Sequence, residues 1–121
     1  MAIAAVFGLL FTFLIPPFQA PDEATHLFKA LQIAEGRAFG QLENGIPGGR
    51  FSETWGHYMG LFGELPGQPE KKVEPGTWTT ARTLDWSAPG TIFFDYRNTV
   101  LYTPVPYLPQ ALGMKVSEWL R

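Results

Sequence analysis

Asp22, Glu23 and His26 stand together in the stretch PPFQAPDEATHLFKALQIAEGR, residues 16–37. Carboxylates and imidazoles are the side chains that most often move protons or hold cations in enzymes. Asp22 or Glu23 fits a general base that deprotonates a hydroxyl, or a group that holds a divalent cation against a phosphate. His26, one helical turn after Asp22, fits a proton acceptor, a donor to phosphate or a second metal ligand. Lys29, a further three residues on, fits a phosphate contact. Each has a plainer reading. Acids at a helix start are favoured by the helix dipole. A histidine beside an acid commonly just bonds it. A lysine on a polar face is usually solvated or meets headgroups. Two ligands do not make a metal site, and the other histidine, His57, is remote in sequence.

The elements that must position these groups follow from punctuation. Pro16-Pro17 end an apolar run, since proline lacks an N–H and restricts its predecessor. Pro21-Asp22 opens a helix and Gly36 closes one, which predicts a helix over about 22–35. On it Leu27, Ala30, Leu31 and Ala34 form an apolar stripe, extended by Ala24 and Phe28. Asp22, His26 and Lys29 share the other face. The expected arrangement is an amphipathic helix lying on a membrane surface with that stripe down.

The run before it, MAIAAVFGLLFTFLI, carries no charge. As a helix it measures about 22 Å, short of the roughly 30 Å hydrocarbon layer. It lacks the basic first region of a signal peptide. The expectation is a transmembrane helix over 1–15 whose first turns are missing, in a chain that is part of a longer protein. A buried helix of a globular domain is the other reading. No Lys or Arg precedes the run, so charge gives no orientation.

Residues 37–97 change character. NGIPGG, LPGQPEKKVEPG and SAPG are turn sequences, which predicts irregular loop with little stability of its own. A short helix fits SETWGHYMGLFGEL, while TWTTART and TIFFDY have strand composition and could pair. NTVLYTPVPYLPQALGMKVSEWLR then returns to proline spacing and a helical pattern, with Trp119 and Arg121 as interfacial anchors. Across the whole chain, charged residues are only 17 % while there are thirteen glycines and eleven prolines, unlike an ordinary small enzyme. The net charge of −2 offers no field for nucleic acid. The absence of cysteine excludes disulfides, thiolate catalysis and cysteine–zinc sites.

Two stretches carry a resemblance. Pro16, Pro17, Pro21, Asp22, Glu23, His26 and Gly36 match one pattern; Asn98, Thr99, Tyr102, Pro104, Tyr107, Pro109 and Gln110 match another. In that order they resemble the domain of unknown function 2142 family of predicted bacterial membrane proteins. The family is similar in turn to type C glycosyltransferases, polytopic enzymes that use polyprenyl-phosphate sugars outside the cytoplasmic membrane. Those enzymes commonly place an essential acid in the first external loop, where Asp22-Glu23 stands here. The resemblance is one of position, and fold analogy does not establish function.

Together these readings give a set of expectations. The fold is a mainly α membrane protein fragment: a truncated first transmembrane helix over 1–15, an extracytoplasmic loop over 16–103 with its amphipathic helix and short strands, and the beginning of a second membrane-associated helix over 104–121. Asp22 and Glu23 are catalytic candidates, Asp22 the preferred one because it shares the polar face with His26 and Lys29 while Glu23 leans toward the apolar edge. His26, Lys29, Asn98, Tyr102 and Tyr107 are candidates for binding substrate, with interfacial packing as the plainer role of Asn98 and the tyrosines. No metal ligands are assigned, although a divalent cation fits the chemistry. The expected partners are membrane lipid, a polyprenyl-phosphate sugar donor and the remaining transmembrane helices of a multi-pass inner-membrane protein. The main alternative is a non-catalytic component of surface polysaccharide assembly or export; a small self-contained interfacial protein is the third reading.

Overall fold

Proline ends the first helix where expected. α1 spans Ala2–Leu14 in a computed structural model that describes residues 2–120. At 13 residues it is about 20 Å long. Among the described residues no helix is long and apolar enough to cross a membrane. The expectation of a mainly α fragment with a truncated transmembrane helix is therefore corrected. The chain is a small α/β fold with a three-stranded antiparallel sheet. Arg121, an expected anchor, lies outside the described residues, while Trp119 is exposed.

After Pro16-Pro17 the chain turns sharply at Phe18, whose φ is 62°. A bulky residue held there costs roughly 1–3 kcal/mol. Burying the ring, 6 % exposed against Tyr58 and Phe62, recovers a comparable amount. The turn delivers the chain to α2, Glu23–Ala34, with Asp22 as its N-cap residue. Gly36, at φ 77°, ends the helix as Arg37 N–H reaches back to the Gln32 carbonyl at 2.9 Å.

The buried face of α2 is wider than its apolar stripe. Phe28, Ala30 and Leu31 are buried, and so are Lys29 and Gln32. The helix is covered by the sheet and by α5, Leu108–Trp119, which follows a short 3-10 turn at Val105–Tyr107. The expected solvated or headgroup-facing Lys29 is thus corrected: its stem is enclosed and its amine finds backbone carbonyls instead of water.

The sheet comes from the segment expected to be irregular. β1 (Gln41–Glu43) and β2 (Ile46–Ser52) form a hairpin in which Glu43 faces Ile46. Asn44 and Gly45, at φ 52° and 78°, supply the left-handed pair that a tight two-residue hairpin turn requires. The Arg50 guanidinium grips the Glu43 carboxylate at 2.7 and 2.8 Å across the hairpin. β3, Thr91–Asp95, is the expected TIFFDY strand, yet it pairs with β2, placing Gly49 opposite Phe94. A Cβ on Gly49 would lie 2.7 Å from the Tyr96 hydroxyl, so that close approach needs glycine.

TWTTART is not the partner strand; it lies in α4, Pro75–Arg82, and its end. Pro75 sits in the first helical turn, and the Thr80 hydroxyl donates to the Gly76 carbonyl at 3.1 Å. Such back-bonding satisfies the threonine within a helix and offsets its strand preference. α3, Thr54–Gly60, falls inside the helix expected at 52–65.

The core is aromatic. Phe28 of α2 stacks on Phe94 at 4.2 Å and on Phe51 at 5.4 Å. A second cluster joins Phe18, Phe62 and Leu65, and both clusters touch Leu27 and Met59. The middle segment therefore does hold core residues, but it buries them against α2.

Candidate functional site

One face of α2 is sewn to residues 96–107. The Thr99 hydroxyl donates to the Thr25 carbonyl at 2.8 Å. His26 Nδ1 lies 2.7 Å from the Tyr107 hydroxyl. Lys29 Nζ donates to the Val100 carbonyl at 2.8 Å and lies 3.5 Å from that of Ala38. The Tyr96 hydroxyl donates to Gln32 Oε1 at 2.8 Å, and Gln32 Nε2 donates to the Arg37 carbonyl at 2.8 Å. Positions 25, 26, 29 and 32 follow the helical period, so a single face makes every stitch. Burial pulls the Lys29 ammonium below its ordinary value. Burial pushes the Tyr96 phenol up to about 12, with Arg37 opposing and Glu35 adding.

An adjacent face of α2 opens into a broad cleft of about 1820 Å³. Glu23, His26, Leu27, Ala30 and Ala34 line it from the helix. Tyr102, Tyr107, Gln110 and Met114 line one side, and Trp55, Tyr58, Trp78, Arg82 and Trp86 the other. The aromatic side is continuous. Trp55 meets Trp86 edge-on at 4.8 Å, Tyr58 lies 5.2 Å from Phe62, and Phe62 lies 5.4 Å from Trp78. Its scaffold is hydrogen-bonded: Thr54 Oγ1 donates to the Asp85 carbonyl at 2.7 Å, and Ser87 closes a turn on the Asp85 carboxylate.

Across the cleft the two sides feel each other electrostatically. Tyr58 is pushed up by burial and then by the Glu23 carboxylate. Tyr107 is pushed up by burial and by neighbouring Tyr102. The His26 ring is nearly parallel to that of Tyr107, 22° between planes and 5.8 Å between centroids, with Tyr102 at 6.2 Å.

The expected site residues separate into three groups. Glu23, His26, Tyr102 and Tyr107 come together in the cleft. Asp22 and Asn98 are exposed and do not line it. The Asp22 side chain makes no capping bond, although its carbonyl receives His26 N–H and the Thr25 hydroxyl. Lys29 is spent in the seam. Sequence reasoning missed Trp55, Tyr58, Trp78 and Trp86. The available signal was their density in a segment too rich in turns to look like a wall. Among the described residues no three His, Asp or Glu side chains converge as a metal site.

Glu23 also lines a second, smaller cleft of about 650 Å³ with Phe11, Leu14, Ile15, Lys72 and Val73. Pro17, Glu23 and Trp78 are common to both clefts. Chemically the larger offers flat apolar faces with a few acids and donors. The smaller offers an apolar wall and one ammonium.

No curated protein and no solved structure matches the chain. A family model described as "Predicted membrane protein (DUF2142)" matches residues 5–121, nearly the whole sequence and both stretches of the seam. The chain belongs to this family of predicted membrane proteins.

Proposed function

We propose that the chain forms the sugar-handling face of a glycosyltransferase-like envelope protein that uses a polyprenyl-phosphate-linked sugar. In this reading the face lies on the extracytoplasmic side of the cytoplasmic membrane. The observation that carries the reading is the meeting of two unlike clefts at Glu23. The larger suits a pyranose, whose C–H faces stack on tryptophan and tyrosine while its hydroxyls meet carboxylates and donors. Glu23, Glu35 and Glu118 outnumber Arg82 around it, which disfavours a phosphate there. The smaller suits the lipid phosphate, with Lys72 near the phosphate and the prenyl chain along Phe11, Leu14 and Ile15. Membrane lipid and the remaining helices of a multi-pass protein would cover the exposed apolar side chains of α1 and α5.

Glu23 then stands where the bond between sugar and phosphate would lie. The acceptor oxygen attacks the anomeric carbon, the phosphate leaves with the bonding electrons, and Glu23 takes the acceptor's proton. The test is sugar transfer by membranes carrying the protein, with Glu23→Gln beside the wild type. At equal expression the rate should fall by about a hundredfold to ten-thousandfold. Full activity at equal expression would remove Glu23 from the chemistry. Sugar binding without any transfer by the wild type would favour the non-catalytic component of polysaccharide assembly or export.

A further inference from the structure

We infer that Tyr107 is a positioning residue that fixes the tautomer of His26, leaving the neutral imidazole with its proton on Nε2 as a hydrogen-bond donor to the cleft. The Tyr107 hydroxyl and His26 Nδ1 are 2.7 Å apart, so one proton lies between them. Tyr107 is 6 % exposed, and its phenol, pushed up by burial, keeps its proton at neutral pH. An imidazole nitrogen with a free lone pair is a better acceptor than a phenol oxygen. The phenol therefore donates to Nδ1, and the ring proton resides on Nε2.

This divides the labour in the cleft. A neutral His26 with a proton already on Nε2 cannot serve there as the base. It donates to an oxygen of the ligand, and the base role falls to Glu23, one turn earlier on the same helix and in the same cleft. That the oxygen belongs to a sugar rests on the function proposed above; the tautomer does not.

The whole chain, labelled with nitrogen-15, provides the test. His26 and His57 are its only histidines, so His57→Gln assigns the spectrum. Ring-nitrogen shifts are read at about pH 8.5, two units above the ordinary imidazole value. The expected result is a pyridine-like Nδ1 and a pyrrole-like Nε2 for His26. A pyrrole-like Nδ1 in the wild type overturns the inference outright, whatever the sugar-transfer assay gives. Tyr107→Phe keeps the ring and removes the donor, so the tautomer ratio should relax by about fivefold. Tyr102→Phe, whose ring is near His26 without a hydrogen bond to it, should leave the shifts unchanged. Equal effects of the two substitutions would also overturn it. If Tyr107→Phe does not fold, the wild-type shifts decide alone.

Discussion

Tyr96→Phe tests the seam at its most buried stitch. Tyr96 is 1 % exposed and Gln32 0 %, so no water replaces a lost partner. Phenylalanine keeps the ring against Phe28 and Phe51, both about 6.0 Å away, and removes only the hydroxyl. Gln32 Oε1 is then left buried without its donor, a loss of about 1–3 kcal/mol. Taking about 2 kcal/mol, and about 4 °C per kcal/mol for a domain of this size, Tm falls by about 8 °C. The alkaline limb changes too. The folded phenol titrates at about 12 against an ordinary 10.0. A group whose folded value is raised contributes stability that is present below about pH 10 and lost as pH rises through about 12. Two units correspond to at most about 2.7 kcal/mol. Tyr58 and Tyr107 shift in the same direction, so the difference between wild type and variant isolates Tyr96. Thermal unfolding by circular dichroism over about pH 7 to 11 measures both effects. Adding Gln32→Leu removes the unpaired Oε1 but also the donor to the Arg37 carbonyl, so it should return little of the loss. A variant within about 0.5 kcal/mol of wild type, with the same alkaline slope, refutes the reasoning.

Lys29→Met keeps the apolar stem and orphans the Val100 carbonyl. That costs about 1–3 kcal/mol and is partly offset because no ammonium need be desolvated, for a net loss of about 1 kcal/mol near neutral pH. Because the folded Lys29 value is lowered, the unfolded chain binds more protons below 10.5. Wild-type stability therefore rises with pH towards that value, and the variant's urea midpoint should lack that rise. Asp22→Asn alters an exposed cap residue that makes no side-chain capping bond. Its urea midpoint should report a change within about 0.5 kcal/mol, and a larger loss would show that the carboxylate has a structural partner.

What the sequence revealed was what its punctuation enforces. Pro21-Asp22 and Gly36 bound α2 to within a residue, because caps and breakers act locally. β3 was legible from TIFFD alone. β2 was not: Pro47, Gly48 and Gly49 read as a turn, and only the close approach of Tyr96 and Phe94 explains glycine in a strand. α4 was misread because Thr and Trp favour strands, while the hydroxyl bonds that settle the matter are invisible in composition. Lys29 was misread for a longer-range reason. Its acceptors lie 9 and 71 residues away, and helical periodicity cannot report them. In the cleft, Glu23 and His26 were legible from residue type and spacing, and Tyr102 and Tyr107 through the resemblance. The tryptophans opposite were not, since no periodicity connects Trp55, Trp78 and Trp86.

The seam and the cleft together explain why the two stretches stand some seventy residues apart and still act as one. His26 belongs to both: its Nδ1 is fixed by Tyr107 on the seam side, and its ring lines the cleft. A site needs its groups held to within a fraction of an ångström by packed supports. Here the support is the set of buried bonds from Thr99, Lys29 and Gln32, reinforced by Phe28 stacked on the sheet. The intervening segment supplies that sheet and then returns over the cleft as the aromatic wall, tied down by Thr54 and Asp85. A shorter connection could join α2 to α5, but it would provide neither the surface that locks α2 nor the wall that faces Glu23.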